Sequence, residues 1–211
     1  MGGKRKRKKR GLKKIMSKDI GAYSTRKQRR YVDKVPNEHL VKAILEVVPK
    51  NDSIIDLGAG CGHFVKRLRT ENYACTGVDA TPDIESLSGG HVLERDLTVW
   101  PGSNLKNHRI FDWGLFSDVG EHVPKEYEQQ LIDNVCRIPT KGLIISWGFE
   151  HERGYHHVNC RTQVYVACEF AKRGWWPDDE LTILARDASG FWPRHNIRLF
   201  IARKKDETDQ V

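Results

Sequence analysis

The chain of 211 residues, 38% hydrophobic and 30% charged with a formal net charge of +8, has room for one domain with a core and short appendages, and too little for two full domains. Its longest apolar runs, such as Leu143 to Trp147, fall far short of the roughly 20 residues needed to cross a bilayer, and no apolar stretch follows the basic amino terminus. The cysteines Cys61, Cys75, Cys136, Cys160 and Cys168 are odd in number, scattered and without a Cys-x-x-Cys pair, which excludes a disulfide framework and a cysteine-only zinc site and leads us to expect an intracellular, reducing location, cytoplasmic or nuclear.

Taken in chain order, the first segment is an arm. Residues 1–34 hold 15 Lys+Arg against 2 Asp+Glu, a charge of +13, and the remainder therefore carries 21 against 26, or −5. Lys4 to Arg10 are seven consecutive cations that repel one another and bury nothing, so the arm is expected to be disordered when alone. Phosphate binding with counterion release makes nucleic acid the first partner to consider, with an anionic membrane or an import receptor as alternatives.

Behind the arm, Leu40, Val41, Ile44, Leu45 and Val48 share one face of a helix bracketed by Pro36 and Pro49. Ser53 to Leu57 reads as a buried strand running into glycines, with a helix marked by Phe64, Val65 and Leu68 directly behind. A second strand ends at Gly77-Val78-Asp79, and a helix opens at Thr81-Pro82 with Thr81 as its cap. A third strand ends near Glu94-Arg95-Asp96. Phe111 to Phe116 predicts a fourth strand, Pro124 to Ile138 a helix with Tyr127, Leu131 and Val135 inward, and Leu143 to Trp147 a fifth strand. Helices over Arg161 to Arg173 and Asp178 to Asp187 and a last strand over Ile197 to Ala202 complete the pattern. Such alternation implies an α/β fold with a mostly parallel sheet and helices on both faces. Trp147, Trp175, Trp176 and Trp192 offer either base stacking or packing, and packing is the expectation.

In such a sheet ligands meet the turns after the strands. The first turn, Asp56-Leu57-Gly58-Ala59-Gly60-Cys61-Gly62, has glycines spaced for a tight turn and close backbone approach, but not in the Gly-x-Gly-x-x-Gly order of dinucleotide sites. Asp56 would repel a pyrophosphate and welcome a cationic amino-acid moiety. With Asp79 seventeen residues beyond Gly62, and Asp96-Leu97 after the third strand, this region resembles the cofactor site of class I S-adenosylmethionine-dependent methyltransferases. The resemblance spans roughly residues 35–205, between the arm and a charged tail at 206–211. It implies a Rossmann-like, seven-stranded, mostly parallel sheet. It also implies S-adenosylmethionine contacts from Asp56, Gly58, Ala59, Gly60, Gly62, Asp79, Ala80, Asp96, Leu97 and Asp118, with Asp79 on the ribose hydroxyls and Asp96 near the adenine amino group.

The turn after the fourth strand, Asp118-Val119-Gly120-Glu121-His122, faces the transferred methyl group in that family. Its acid-x-x-Glu-His spacing is similar to the metal sites of small-RNA 2′-O-methyltransferases and, in part, to ubiquinone-pathway O-methyltransferases. That likeness implies a metal site of Asp118, Glu121, His122 and a later histidine. His157 is the choice over His156, because Asn159 as a helix cap would bring it toward the sheet edge. Glu121, His122 and His157 are the candidate catalytic residues, and Mg²⁺ or Mn²⁺ suits two carboxylates and two imidazoles. In the bland reading Glu121 and His122 only tether the following helix; without a metal, a histidine would act as general base. The Lys-Asp-Lys-Glu set of cap 2′-O-methyltransferases is not legible, since the fifth-strand turn offers no lysine; the Asn-Pro-Pro-Tyr type motif of amino-group methyltransferases is also absent from the fourth-strand turn, so oxygen is the expected target. The leading expectation is O-methylation of an RNA ribose. The alternatives are a small-molecule or carbohydrate O-methyltransferase whose arm serves localisation, and a non-catalytic RNA-binding protein on a methyltransferase fold.

Overall fold

The computed structural model describes residues 36–100, 111–152, 154, 156–189 and 200–204. The arm at 1–34, the tail at 206–211, Ile197 to Leu199 and Trp192 lie outside the described residues.

Asn37 caps the first helix, α1 (Glu38–Val47), by accepting from His39 N at 3.0 Å, and Leu40, Val41, Ala43, Ile44 and Val47 form its buried face. Strand β1 (Ile54–Leu57) is buried along its whole length, as expected for a central parallel strand covered on both sides. Then follow α2 (His63–Thr70), β2 (Cys75–Asp79), the short α3 (Ile84–Leu87) and β3 (Val92–Glu94). Strand β4 (Phe111–Ser117) leads through two 3₁₀ turns, Gly120–His122 and Lys125–Tyr127, into α4 (Glu128–Cys136). The remainder is β5 (Pro139–Ser146), α5 (Gln163–Ala171), β6 (Trp175–Pro177), α6 (Asp179–Ser189) and β7 (Phe200–Lys204).

The seven strands form one sheet in the order β3-β2-β1-β4-β5-β7-β6. β1 to β5 run parallel, whereas β7 is antiparallel to both β5 and β6. Strand order reverses between β1 and β4, so the crevice beyond their carboxyl ends is where an open sheet of this kind exposes its loops to a ligand. One face of the sheet packs Leu131, Ile132 and Val135 of α4 and Val166 and Phe170 of α5 against Ile55, Leu57 and Phe116. The opposite face packs Leu40 and Ile44 of α1, Val65 and Leu68 of α2 and Ala185 of α6 against Ile54, Leu115 and Ile144. Two buried layers with one sheet between them are the physical basis of the fold.

Some boundaries differ from the sequence reading. Thr81 does not cap a helix: its N–H donates to Asp79 Oδ1 at 2.8 Å, and α3 starts only after Asp83, which sits at φ 63°. The segment after Pro124 winds first as a 3₁₀ turn, so α4 begins at Glu128. β5 begins at Pro139, which pairs with Phe111 ahead of the apolar run, while exposed Thr140 and Lys141 fall where the register shifts before Gly142 pairs with Trp113. β6 is an addition to the predicted elements; its three residues form an edge strand where Pro177 costs no ladder bond on the open side. As expected, Trp147 and Trp175 pack inside, at 3% and 0% exposure, while Trp176 is 47% exposed. Among the described residues no helix is long and apolar enough to cross a membrane.

Candidate active site

The turn after β1 holds three glycines in the left-handed region, Gly58 at φ 90°, Gly60 at 51° and Gly62 at 74°. At Gly58 the need is steric as well, since a Cβ there would lie 2.5 Å from Cγ2 of Val119 in the turn after β4. The two turns that flank the crevice therefore close on one another. The turn is tied to β2 by Gly58 N and Ala59 N, which both donate to Val78 O at 2.9 Å, and by Gly60 N, which donates to Asp79 Oδ2 at 2.8 Å.

Three acids line this half of the crevice. Asp56 is buried at the end of β1, and burial, reinforced by the charge of Asp79, pushes its carboxyl up to about 8. Its Oδ2 is buried without a hydrogen-bond partner. Asp96 accepts from Thr98 N and Oγ1 at 2.8 and 2.7 Å through Oδ1, while its Oδ2 is likewise buried without one. Asp79, at the end of β2, accepts from backbone N–H groups through both oxygens and has lone pairs to spare for two hydroxyls. Ala80 follows at the same edge. Leu97 turns its side chain into the core, so that only its backbone is left for a ligand.

The other half comes from the turns after β4 and β5. Glu121 is 1% exposed and lies in the first 3₁₀ turn, with half-buried His122 beside it. The loop after β5 is closed at its base by Arg161 N donating to Gly148 O at 2.9 Å. The loop returns to the first turn, where Val158 N and Asn159 N donate to Glu121 O at 2.8 and 3.0 Å. That return places His157 edge-on to His122, ring centroids 5.0 Å apart. Potential ligand atoms of Glu121, His122 and His157 lie within 4.8 Å of one another. His122 Nδ1 meets His156 O at 3.2 Å and His157 Nδ1 meets Glu152 O at 3.2 Å. A carbonyl only accepts, so in these two contacts Nδ1 of each ring is the donor. Burial first and then neighbouring His157 push the His122 imidazole down to about 4, so it stays neutral at pH 7. At Gly154 a Cβ would collide with His157 Nε2, so the loop passes too close to the ring for any side chain.

Two expectations need correction. Asp118 falls outside the group formed by Glu121, His122 and His157. It sits at φ 53°, its N–H faces Ser146 O and Oγ at 3.1 Å each, and Ser146 Oγ donates to its Oδ1 at 3.0 Å, so the short carboxylate is turned toward β5. It remains close enough to His122 to favour that ring's charged form. Asn159 does not cap α5. Thr162 does, accepting from Tyr165 N at 3.2 Å, while the Asn159 side chain donates to Glu128 Oε2 at 2.9 Å. His157 still reaches the sheet edge, but it is the backbone of the loop that carries it there.

Sequence reasoning missed Glu128 and Ser146. Glu128 stands three residues before inward Leu131 and so shares its helix face, a signal that was available.

Comparison with solved structures gives a consistent answer. Magnesium protoporphyrin IX methyltransferase from Synechocystis with bound S-adenosylmethionine superposes with a TM-score of 0.57 at 14% identity, covering 84% of this chain and 79% of that one. A methyltransferase in complex with the Trm112 activator of Haloferax volcanii gives 0.60 at 13% identity, covering 85% and 93%. The 1,6-didemethyltoxoflavin-N1-methyltransferase of Burkholderia thailandensis gives 0.58 at 14% identity, covering 92% and 88%. The fold is that of the class I methyltransferases. No protein-family model and no curated protein sequence matches the chain. A methyltransferase fold does not set the substrate, as the porphyrin and toxoflavin enzymes illustrate, so chemistry has to be argued from the residues.

The residues of this methyltransferase fold suit S-adenosylmethionine. The partnerless buried oxygens of Asp56 and Asp96 match a cationic amino acid moiety and an adenine amino group, and Asp79 stands between them in sheet order to accept ribose hydroxyls. The donor set of Glu121, His122 and His157, one carboxyl side chain and two imidazoles, suits a divalent cation.

Proposed function

We propose that this protein is an S-adenosylmethionine-dependent O-methyltransferase that acts on a ribose hydroxyl of RNA, with a divalent metal at the acceptor site. The observation that carries the reading is the convergence of Glu121, His122 and His157 at the crevice that the Asp56, Asp79 and Asp96 turns share. A ribose hydroxyl is too weakly acidic to attack a sulfonium unaided at neutral pH; Glu121, His122 and His157 would hold a divalent ion, which when bound would supply Lewis acidity that lowers the pKa of that hydroxyl.

The protein's own residues do the remainder. Asp56, Asp79 and Asp96 would hold the cofactor by its charged end, ribose and adenine, with the turn after β4 as the neighbouring wall of the crevice. Val119, packed over Gly58, fixes the distance between the two turns. As the methyl passes from sulfur to oxygen, the hydroxyl proton leaves to solvent. With its imidazole pushed down to about 4, His122 holds a proton too weakly to be an effective general base at pH 7, which favours ligation over base catalysis. RNA is the preferred substrate because residues 1–34 add +13 to a remainder of −5, phosphate affinity that the catalytic part lacks.

The test is transfer of labelled methyl to RNA followed by nucleoside analysis. A 2′-O- or 3′-O-methylated ribose is expected; label on a base, or none on RNA and transfer to a small hydroxylated acceptor, overturns the substrate assignment.

A further inference from the structure

Glu128, at the first turn of α4, is 2% exposed and carries more interactions than any helix start requires. Its Oε2 accepts from Asn159 Nδ2 at 2.9 Å and from Arg161 Nε at 2.7 Å. Its Oε1 accepts from Tyr165 OH at 2.5 Å, with Gln129 Nε2 at 3.5 Å. Burial pushes this carboxyl up, and the Arg161, Tyr165 and Asn159 bonds with the Arg161 charge outweigh it, so Glu128 stays ionised below the ordinary carboxylate range.

All three main donors belong to the stretch that follows His157. Asn159 itself is 3% exposed, and its carbonyl accepts from Trp147 Nε1 at 2.6 Å. Asn159 N and Val158 N donate to Glu121 O. Two anchors therefore hold the segment that presents His157: the backbone of Glu121, and the carboxylate of Glu128 seven residues further along the same turn and helix.

We infer that Glu128 is a positioning residue, which through Asn159, Arg161 and Tyr165 holds His157 in register with Glu121 and His122. The inference rests on the proposed metal site. Glu128 touches neither metal nor substrate; it joins the β5 loop to the element that carries the other two ligands, so that the three donors keep one geometry. Without it the loop retains its backbone bonds to Glu121 O, but its outgoing limb loses the buried carboxylate that gathers its side chains.

The experiment uses the full chain and Mn²⁺ alone, followed by electron paramagnetic resonance, with the visible spectrum of Co²⁺ as a report on coordination geometry. Glu128→Gln keeps the size of the side chain and replaces one acceptor oxygen by a donor; Tyr165→Phe removes a single bond and spares the Arg161 pair. Mn²⁺ affinity is expected to fall about 10-fold in Glu128→Gln and less in Tyr165→Phe, with altered Co²⁺ bands and S-adenosylmethionine affinity within about twofold of wild type. Variants that bind Mn²⁺ as tightly as wild type, with unchanged Co²⁺ bands, overturn the inference. So does an equal loss of cofactor and metal affinity, which marks a merely structural role. If Glu128→Gln does not fold, Tyr165→Phe decides by the same criteria. A wild-type protein that binds neither ion overturns the metal reading itself, and that outcome is separate from any difference among the variants.

Discussion

Replacing Asp56 with asparagine tests the proposed S-adenosylmethionine site. Burial and the Asp79 charge push the Asp56 carboxyl up to about 8, so at pH 7 it is protonated in roughly 90% of cofactor-free molecules. A cationic amino acid moiety placed against it favours the carboxylate, and binding then expels about 0.9 proton at pH 7. Isothermal titration calorimetry of S-adenosylmethionine in buffers of different ionisation enthalpy reads that number directly. The same linkage makes wild-type affinity rise up to about tenfold per pH unit between pH 5.5 and 7.5. The sign for stability is opposite: with the folded value above the unfolded one, the contribution is intact below pH 4 and is lost as pH rises from about 4 to about 8. At ~1.4 kcal/mol per unit the ceiling on that loss is roughly 6 kcal/mol, so the cofactor-free protein melts at lower temperature at pH 8 than at pH 5. Asp56→Asn should release almost no proton and show a flatter stability profile. No proton release by wild type, or equal release by the variant, would refute the reasoning.

Gly58→Ala meets both a φ of 90° and a Cβ position 2.5 Å from Val119, so a loss of about 2 kcal/mol in stability and at least tenfold in cofactor affinity is expected, recovered in part by adding Val119→Ala. Chemical denaturation and calorimetry check both. Glu121→Gln and His122→Ala are expected to cut turnover more than a hundredfold while cofactor affinity stays within about threefold; unfolded variants by circular dichroism would instead support the tether role. Deleting residues 1–34 should weaken RNA binding and flatten its salt dependence by ~0.7 in log–log slope for each phosphate that the arm neutralises, measured by fluorescence anisotropy across a salt series. Unchanged affinity and slope would turn the arm into an address.

The half of the site proposed for the cofactor can be read in the sequence because it is local. One heptapeptide, Asp56 to Gly62, carries the turn, and the two further acids stand at ends of strands that alternation locates. The acceptor half joins a turn after β4 to a loop after β5, and spacing alone does not show how that loop folds back. Its return depends on backbone bonds from residues 158 and 159 to Glu121 O, which leave no trace in side-chain identity. For the same reason Asn159 misleads as a cap: an Asn shortly before a helix suits that role, yet a partner 31 residues away in Glu128 claims its side chain. Thr81 misleads for a different reason: the helix starts later than the sequence suggests, after Asp83 at φ 63°. β6 is invisible in the sequence because three residues ending in proline have no period to read, and they become a strand only by pairing with β7.

The most direct measurement of the central claim is methyl transfer from labelled S-adenosylmethionine to a small RNA, comparing intact with periodate-oxidised 3′ ends, in Mn²⁺ or Mg²⁺ and in chelator. Incorporation is expected to depend on both the metal and the intact terminal diol. Incorporation that is indifferent to chelator and to oxidation, or absent under every condition, would contradict a metal-assisted ribose methyltransferase.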